Sequence, residues 1–290
     1  MKRIAILGCE NSHANNFLTL IKEREKYSDV EVVGVYSDER EAAEKLREKF
    51  GTPILDSFAD AQGKIDGLVI TARHGDNHYK FARPYLNDKI PMFIDKPITV
   101  SEDEAVDFMR ELKSRDISFS GGSSLKHADM VLELKAHAAA KTSGKTLGGV
   151  VRAPLASDSE YGGFYFYAQH LVEMVSEIYG RYPTSVIAMP KGVETTVIFR
   201  YEEYDIVGSY FEHSSQYYAA RYAEKGSQGG VVDISNKECF VREFDEFYKL
   251  LSGERGEMSY EDFIAPVFVM NAIERSLKSG KEEKVKEFAL

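Results

Sequence analysis

Lys89-Ile90-Pro91-Met92-Phe93-Ile94-Asp95-Lys96-Pro97-Ile98-Thr99-Val100 is the stretch on which the fold turns. Its apolar run from Pro91 to Ile94 has no polar alternation, the pattern of a parallel strand covered on both faces. Asp95-Lys96-Pro97 therefore sits at the carboxyl end of that strand, and ligands of open α/β sheets bind beyond the carboxyl ends. Pro97 stiffens the exit and biases Lys96 toward extended backbone. Alone, the triplet also describes a solvated lysine beside a turn proline, so the surrounding chain has to decide.

Upstream, Lys2 to Gly8 is an aliphatic strand ending in glycine, followed by Phe17, Leu18, Leu20 and Ile21 at helical spacing. Val30 to Tyr36 is a second strand. Glu39 to Phe50 is a charged amphipathic helix that Gly51 ends. Ile65 to Thr71 is another apolar strand, with a helix expected over His78 to Leu86. Downstream, Ser101 with Glu104 makes a capping box for a helix reaching about Lys113, and Ile117 to Gly121 is the last strand of this half. Strands alternating with helices at this spacing predict a Rossmann-type parallel sheet with right-handed crossovers, over residues 1–121.

From Gly122 the pattern changes. Helices are expected over 129–140 and 164–179, a strand over 147–154, and then strand-like runs at 184–189, 195–201, 204–212 and 231–233. Short runs separated by polar turns predict a mostly antiparallel sheet, so residues 122–290 read as a second α/β domain. Ser214 to Gly230 reads as an irregular loop, and helices over 240–252 and 260–278 close the chain.

Composition narrows the function. The 290 residues carry 37 basic against 47 acidic groups, a net charge of −10, which argues against nucleic acid or an anionic membrane and for a small-molecule partner. Two cysteines, Cys9 and Cys239, no apolar run of membrane-spanning length and no secretory leader predict a cytoplasmic protein.

Gly8-Cys9-Glu10-Asn11-Ser12-His13 occupies the place of a G-x-G-x-x-G turn but keeps only its first glycine, with Glu10 and His13 at the other two positions. The amides that open the following helix still offer an anion site. At the end of the second strand, Ser37-Asp38 provides either a ribose-binding acid or a helix N-cap, and the serine leaves NAD and NADP both open. Thr71-Ala72-Arg73-His74-Gly75-Asp76-Asn77-His78 enters the same crevice; its histidines are not spaced as a metal site, and none is assigned. Gly162-Gly163 leads into a helix on which Phe166, His170 and Glu173 share a face beside the core stripe Leu171, Met174, Val175 and Ile178. His170 is there either a general acid–base or a hydrogen-bonded core histidine.

In this order, the dinucleotide-type first strand, Thr71 to His78, Asp95-Lys96-Pro97 and Gly162-Gly163 leading to His170 resemble the glucose-fructose oxidoreductase, inositol dehydrogenase and rhizopine-catabolism family, Gfo/Idh/MocA. The tail, Met258 to Asp262 and Ala272 to Ser276, fits as well. The resemblance implies an NAD(P)-dependent dehydrogenase acting on a sugar, polyol or related hydroxy compound. It implies Lys96 and His170 as catalytic residues, and Gly8, Asn11, Ser12, His13, Ser37, Asp38, Thr71, His74, His78, Asp95 and Lys96 as cofactor-binding. It further implies a homo-oligomer, dimer or tetramer, built on the open face of the second sheet, for which Tyr201, Tyr204, Tyr210 and Phe211 are expected. This sequence departs from the family in the glycine fingerprint and in Phe166, which replaces an aspartate four residues before the histidine. Two alternatives follow from those departures: a redox-inactive ligand-binding or regulatory protein, and a lyase or hydrolase that holds NAD tightly and uses it transiently.

Overall fold

The computed structural model describes residues 1–290, the side chain of Lys141 excepted. Its first sheet is parallel throughout: β1 (Lys2–Leu7), β2 (Val30–Tyr36), β3 (Gly67–Ile70), β4 (Met92–Asp95) and β5 (Phe119–Gly122), in the order β2-β1-β3-β4-β5. The crossovers run through α1 (Ser12–Glu23), α2 (Arg40–Phe50), α3 (Asp76–Ala82) and α4 (Glu102–Ser114). Local chemistry sets their ends. Gly51 closes α2 at φ 75°, a left-handed conformation that glycine adopts without penalty. Ser101 caps α4 by accepting from the Glu104 amide.

The second half begins with α5 (Asp129–Ala139) and β6 (Thr146–Leu155), then α6 (Tyr165–Tyr179). The strands β7 (Ser185–Lys191), β8 (Glu194–Arg200), β9 (Asp205–Glu212), β10 (Tyr218–Ala223) and β11 (Gly226–Val231) follow. After α7 (Glu238–Leu251) and α8 (Tyr260–Ser279), β12 (Glu283–Lys284) completes a seven-stranded sheet ordered β11-β10-β6-β9-β8-β7-β12. Every pair in it is antiparallel except β6 with β9. The fold is thus α/β, a Rossmann-like sheet joined to a mostly antiparallel one.

Two expectations need correction here. Ser214 to Gly230 is no irregular loop: it holds β10 and most of β11, a hairpin turned at Glu224-Lys225, with Gly226 opening β11 at φ 124°. Its strand signal was masked because Gly226, Gly229 and Gly230 have low strand propensity, and Gly229 is required where an added Cβ would lie 2.2 Å from that of Ala220. Nor do the expected tyrosines pave the open face. Tyr201 and Tyr204 stack on each other and donate to the carbonyls of Gly180 and Tyr179, while Tyr210 is fully buried and donates to Ala168 of α6. Of the four, Phe211 alone points away from α6, under the Arg152 guanidinium, because strand neighbours alternate faces.

Helix α7 comes late in the chain yet packs on the first sheet. Phe244 and Phe247 join Ile4, Ile6, Phe17, Val69 and Phe93 in one core, so α7 covers a face that the first 121 residues leave open. Among the described residues, no helix is long and apolar enough to cross a membrane.

Candidate active site

Four strand ends build the crevice. At β1, Gly8 has φ 76° and an ideal Cβ there would meet the Ala72 backbone at 2.3 Å, so no larger residue fits between the ends of β1 and β3. Beyond it α1 starts at Asn11 with no side-chain cap and no acidic residue in its first turn, which leaves its opening amides and the positive end of the helix dipole for an anion. An open groove of about 750 Å³ runs past Glu10, Ser12, Arg40, Lys45 and Arg73. A dinucleotide fits this frame: the glycine cradle, the uncapped helix and three cations are in place. When bound, it supplies hydride transfer.

Glu10, at the second glycine position, turns sideways. Its carboxylate accepts from Ser37 Oγ at 2.7 Å and from the Arg73 amide at 3.0 Å, bridging the ends of β2 and β3. Over this bridge Arg73 donates to Tyr161 Oη (2.8 Å), which donates to Glu39 (2.9 Å), so a residue of the second half reaches across the crevice. Asp38 lies in the small recess beside Glu39, His74 and Tyr161, accepting from Tyr36 Oη at 2.6 Å. The N-cap of α2 is Glu39 instead, without a side-chain bond.

At the third glycine position His13 is buried between two carboxylates, Nδ1 3.0 Å from Asp95 and Nε2 3.2 Å from Glu243 of α7. Both contacts miss hydrogen-bond alignment, so they act as ion pairs. Burial opposes a charged ring, but Asp95 and then Glu243 outweigh it and push the His13 pKa up to about 10. Asp95 also accepts from Asn11 Nδ2 (2.9 Å) and from the Lys96 amide (2.7 Å). Burial is the largest single influence on Asp95 and pushes its pKa up, but the His13 charge and contact, with Lys96 and His78, together outweigh it and hold the carboxyl below its ordinary value.

Lys96 is buried as well. Its Nζ donates to the Phe166 carbonyl at 3.2 Å and lies 4.6 Å over the Phe166 ring and 5.3 Å over Tyr167, a cation–π seat. Desolvation in that seat lowers its pKa, against the pull of Asp95. His170 packs on the other side of Tyr167, ring centroids 5.3 Å apart, and its Nδ1 is 2.6 Å from Ser123 Oγ. Burial, then the Lys96 charge, holds His170 well below the usual histidine range, so it is neutral at pH 7.

The structure thus gathers Gly8, Asn11, Ser12, His13, Asp95 and Lys96 at the ends of β1 and β4, with Ser37, Asp38 and His74 along the rim. Thr71 and His78 are placed elsewhere. Thr71 is fully buried and donates to the Gly8 carbonyl (3.0 Å). His78 is fully buried with its nitrogens on the carbonyls of Ala72 and Ile98, a tie between two loops that leaves it no atom for a cofactor. Glu173, expected near His170, instead accepts from Gln169 Nε2, and Ser123 takes its place as the partner of the ring. Glu243, Ser123 and Tyr161 were not singled out from sequence. Only Glu243 carries a signal, a carboxylate inside the aromatic stripe Phe240, Phe244 and Phe247.

Residues 2–122 match the family model described as "Oxidoreductase family, NAD-binding Rossmann fold". No curated protein matches the sequence. Among solved structures, a myo-inositol dehydrogenase from Corynebacterium glutamicum superposes with a TM-score of 0.82 at 16% identity, covering 99% of this chain and all of that one. The scyllo-inositol dehydrogenase of Lactobacillus casei, with NAD(H) and scyllo-inositol bound, gives 0.86 at 13% identity over 98% and 99%. A WlbA dehydrogenase from Chromobacterium violaceum, with NADH and UDP-GlcNAcA, gives 0.79 at 15% identity over 99% and 97%. At such identities the likeness is one of fold.

Proposed function

We infer that a chain whose residues 2–122 belong to the Gfo/Idh/MocA oxidoreductase family works as an NAD(P)-dependent dehydrogenase on a sugar, polyol or related hydroxy compound. The observation that carries this reading is the pairing, around Tyr167, of a buried lysine with a neutral histidine beyond the cofactor crevice. Lys96 hydrogen-bonds the reacting oxygen and steadies the charge that develops on it. His170, with Nδ1–H donated to Ser123, presents the Nε2 lone pair to the carbinol proton and returns it in the reverse direction. The dinucleotide lies on Gly8 and the amides of Ser12 and His13, with Ser37 and Asp38 toward the ribose. Inositol-processing relatives of the same fold favour a polyhydroxylated substrate. A cytoplasmic setting fits the two free cysteines, and a homo-oligomer fits the open sheet face, where Val207, Tyr218, Tyr222 and Val231 are exposed.

One feature favours a second reading, that of a ligand-binding member without turnover: Phe166 fills the acid's place under Lys96, and the Glu10 and Tyr161 bridges span the crevice. The two separate cleanly. Thermal shift with NAD(H) and NADP(H) reports binding, about 2.7 kcal/mol of stabilisation at 100 times the dissociation constant. A dehydrogenase then loses about 10²-fold or more of its turnover in Lys96→Ala and in His170→Ala with binding kept. If wild type and Phe166→Asp both bind the dinucleotide but neither turns over any of a broad sugar and polyol panel, the binding-protein reading replaces the enzyme.

A further inference from the structure

A cavity of about 390 Å³ lies on the far side of β5, in the seam where the edge of the first sheet meets α6, α7 and the start of α8. It shares no lining residue with the cofactor groove. Its volume is in the range of small-metabolite pockets, and seams between domains are where such pockets form.

The deep wall is short of acceptors. Lys126 is 3% exposed, donates only to the Gly121 carbonyl, and has no carboxylate within ion-pair distance among the described residues. Arg181 spends one nitrogen on Glu177, while its Nη1 is buried without a partner. Glu177 is already taken twice, by Arg181 and by Lys135 at 2.7 Å. Ser120 Oγ and His127 Nε2, on residues more than nine-tenths buried, are unpartnered too, Nε2 being 3.6 Å from Glu246. Burial, then Lys126, keeps His127 uncharged, so it adds no charge of its own to the wall. The other acids of the lining stand toward solvent: Glu246, Glu254 and Glu257 are exposed, and Asp262 is half-buried and accepts from Tyr182 Oη. The nearest buried carboxylate, Glu173, is engaged by Gln169 and forms no ion pair with Lys126, and a buried ammonium without a direct ion pair is costly, as is each orphaned donor. Four of them around one cavity describe a site lacking its anion.

We propose that this cavity is a second small-molecule site, taking the oxyanion end, carboxylate or phosphate, of a metabolite onto Lys126 and Arg181, with Ser120 and His127 as further partners. The acidic opening then faces the uncharged or cationic remainder of the ligand. Binding there draws Lys126 away from the Gly121 carbonyl, two residues before Ser123.

Inorganic phosphate and acetate are the probes, each compared with chloride at equal ionic strength by thermal shift and titration calorimetry. One of the two is expected to raise the melting temperature and to bind at one site per chain; which one identifies the head group. Lys126→Met keeps the length of the side chain and removes the unpaired charge. It is expected to melt no lower than wild type without added anion, and to weaken the anion at least tenfold. Ser120→Ala, which breaks no bond of the wall, is expected to weaken it severalfold and guards against a misfolded lysine variant. The proposal is overturned if neither anion exceeds chloride, or if Lys126→Met and Ser120→Ala both bind as wild type does, since the ion would then lie at the opening of α1.

Discussion

His13 and His170 flank the same lysine strand, are about equally buried, and are driven in opposite directions. His13 meets Asp95 and Glu243 and is held charged; His170 meets a hydroxyl, two tyrosine rings and the Lys96 ammonium and is held neutral. Burial pushes both pKa values down, so the carboxylates decide the difference. Two buried histidines around one buried lysine can therefore do unrelated work. One is a charged clasp between α1, β4 and α7, and the other an uncharged ring seated on the hydroxyl of Ser123.

The largest effect expected from breaking this contrast lies at the clasp. His13→Leu strands Asp95 and Glu243 as buried carboxylates without their cation, and denaturant unfolding is expected to show a loss of about 3–5 kcal/mol. A loss under about 1 kcal/mol would mean that His13 is not charged in the folded chain. Adding Glu243→Gln to His13→Leu should recover part of the loss, a coupling that a double-mutant cycle reads directly.

A smaller effect, and a sharper one, comes from pH. His13 has a folded pKa raised above its unfolded value of about 6.5, so its stabilisation is complete below that pH and fades as pH climbs toward about 10. For His170 the folded value is depressed: below about pH 6.5 the unfolded chain takes a proton that the native site refuses, and stability falls on the acid side. Unfolding free energy measured from pH 5 to 10 is expected to fall at both ends, and His13→Leu should flatten the alkaline limb alone. The turnover limb of His170 should lie below pH 6.5, with a plateau at neutrality; a rate still climbing between pH 7 and 8 would assign the base elsewhere.

The smallest effect concerns Glu10. Its carboxylate already leans on Ser37 and the Arg73 amide, so Glu10→Gly trades two rim hydrogen bonds for less repulsion and closer approach at the turn. NAD(P) affinity measured by calorimetry is expected to stay within about threefold of wild type or to tighten, the scale of under 1 kcal/mol. A tenfold weakening would make Glu10 a cofactor ligand.

What could be read in the sequence was whatever local periodicity writes down. The apolar run before Asp95 placed Lys96 at a strand end, and helical spacing placed His170 on a buried helix; both are where those patterns put them. Tertiary partners were not legible. Nothing near His13 says that its second carboxylate comes from α7, most of the chain away, and nothing near His170 says that Ser123, after another strand, holds its ring. The hairpin of β10 and β11 was missed for a different reason, since glycines chosen for close backbone approach erase the alternation that marks a strand. His78 shows the converse error: a histidine in a loop of the crevice looked like a ligand, and only its two carbonyl partners show that it ties the loop to its neighbour.

The late position of α7 has a consequence for how the protein is made. The core around Ile4, Phe17, Val69 and Phe93 is closed by Phe244 and Phe247, so an emerging chain that has completed five strands still exposes that apolar face. At synthesis rates of about 5–20 residues per second, roughly 6 to 25 seconds pass between Gly122 and the first turn of α7. During that interval the nascent first half exposes apolar surface of the kind that makes folding intermediates prone to aggregation, until α7 arrives to cover it.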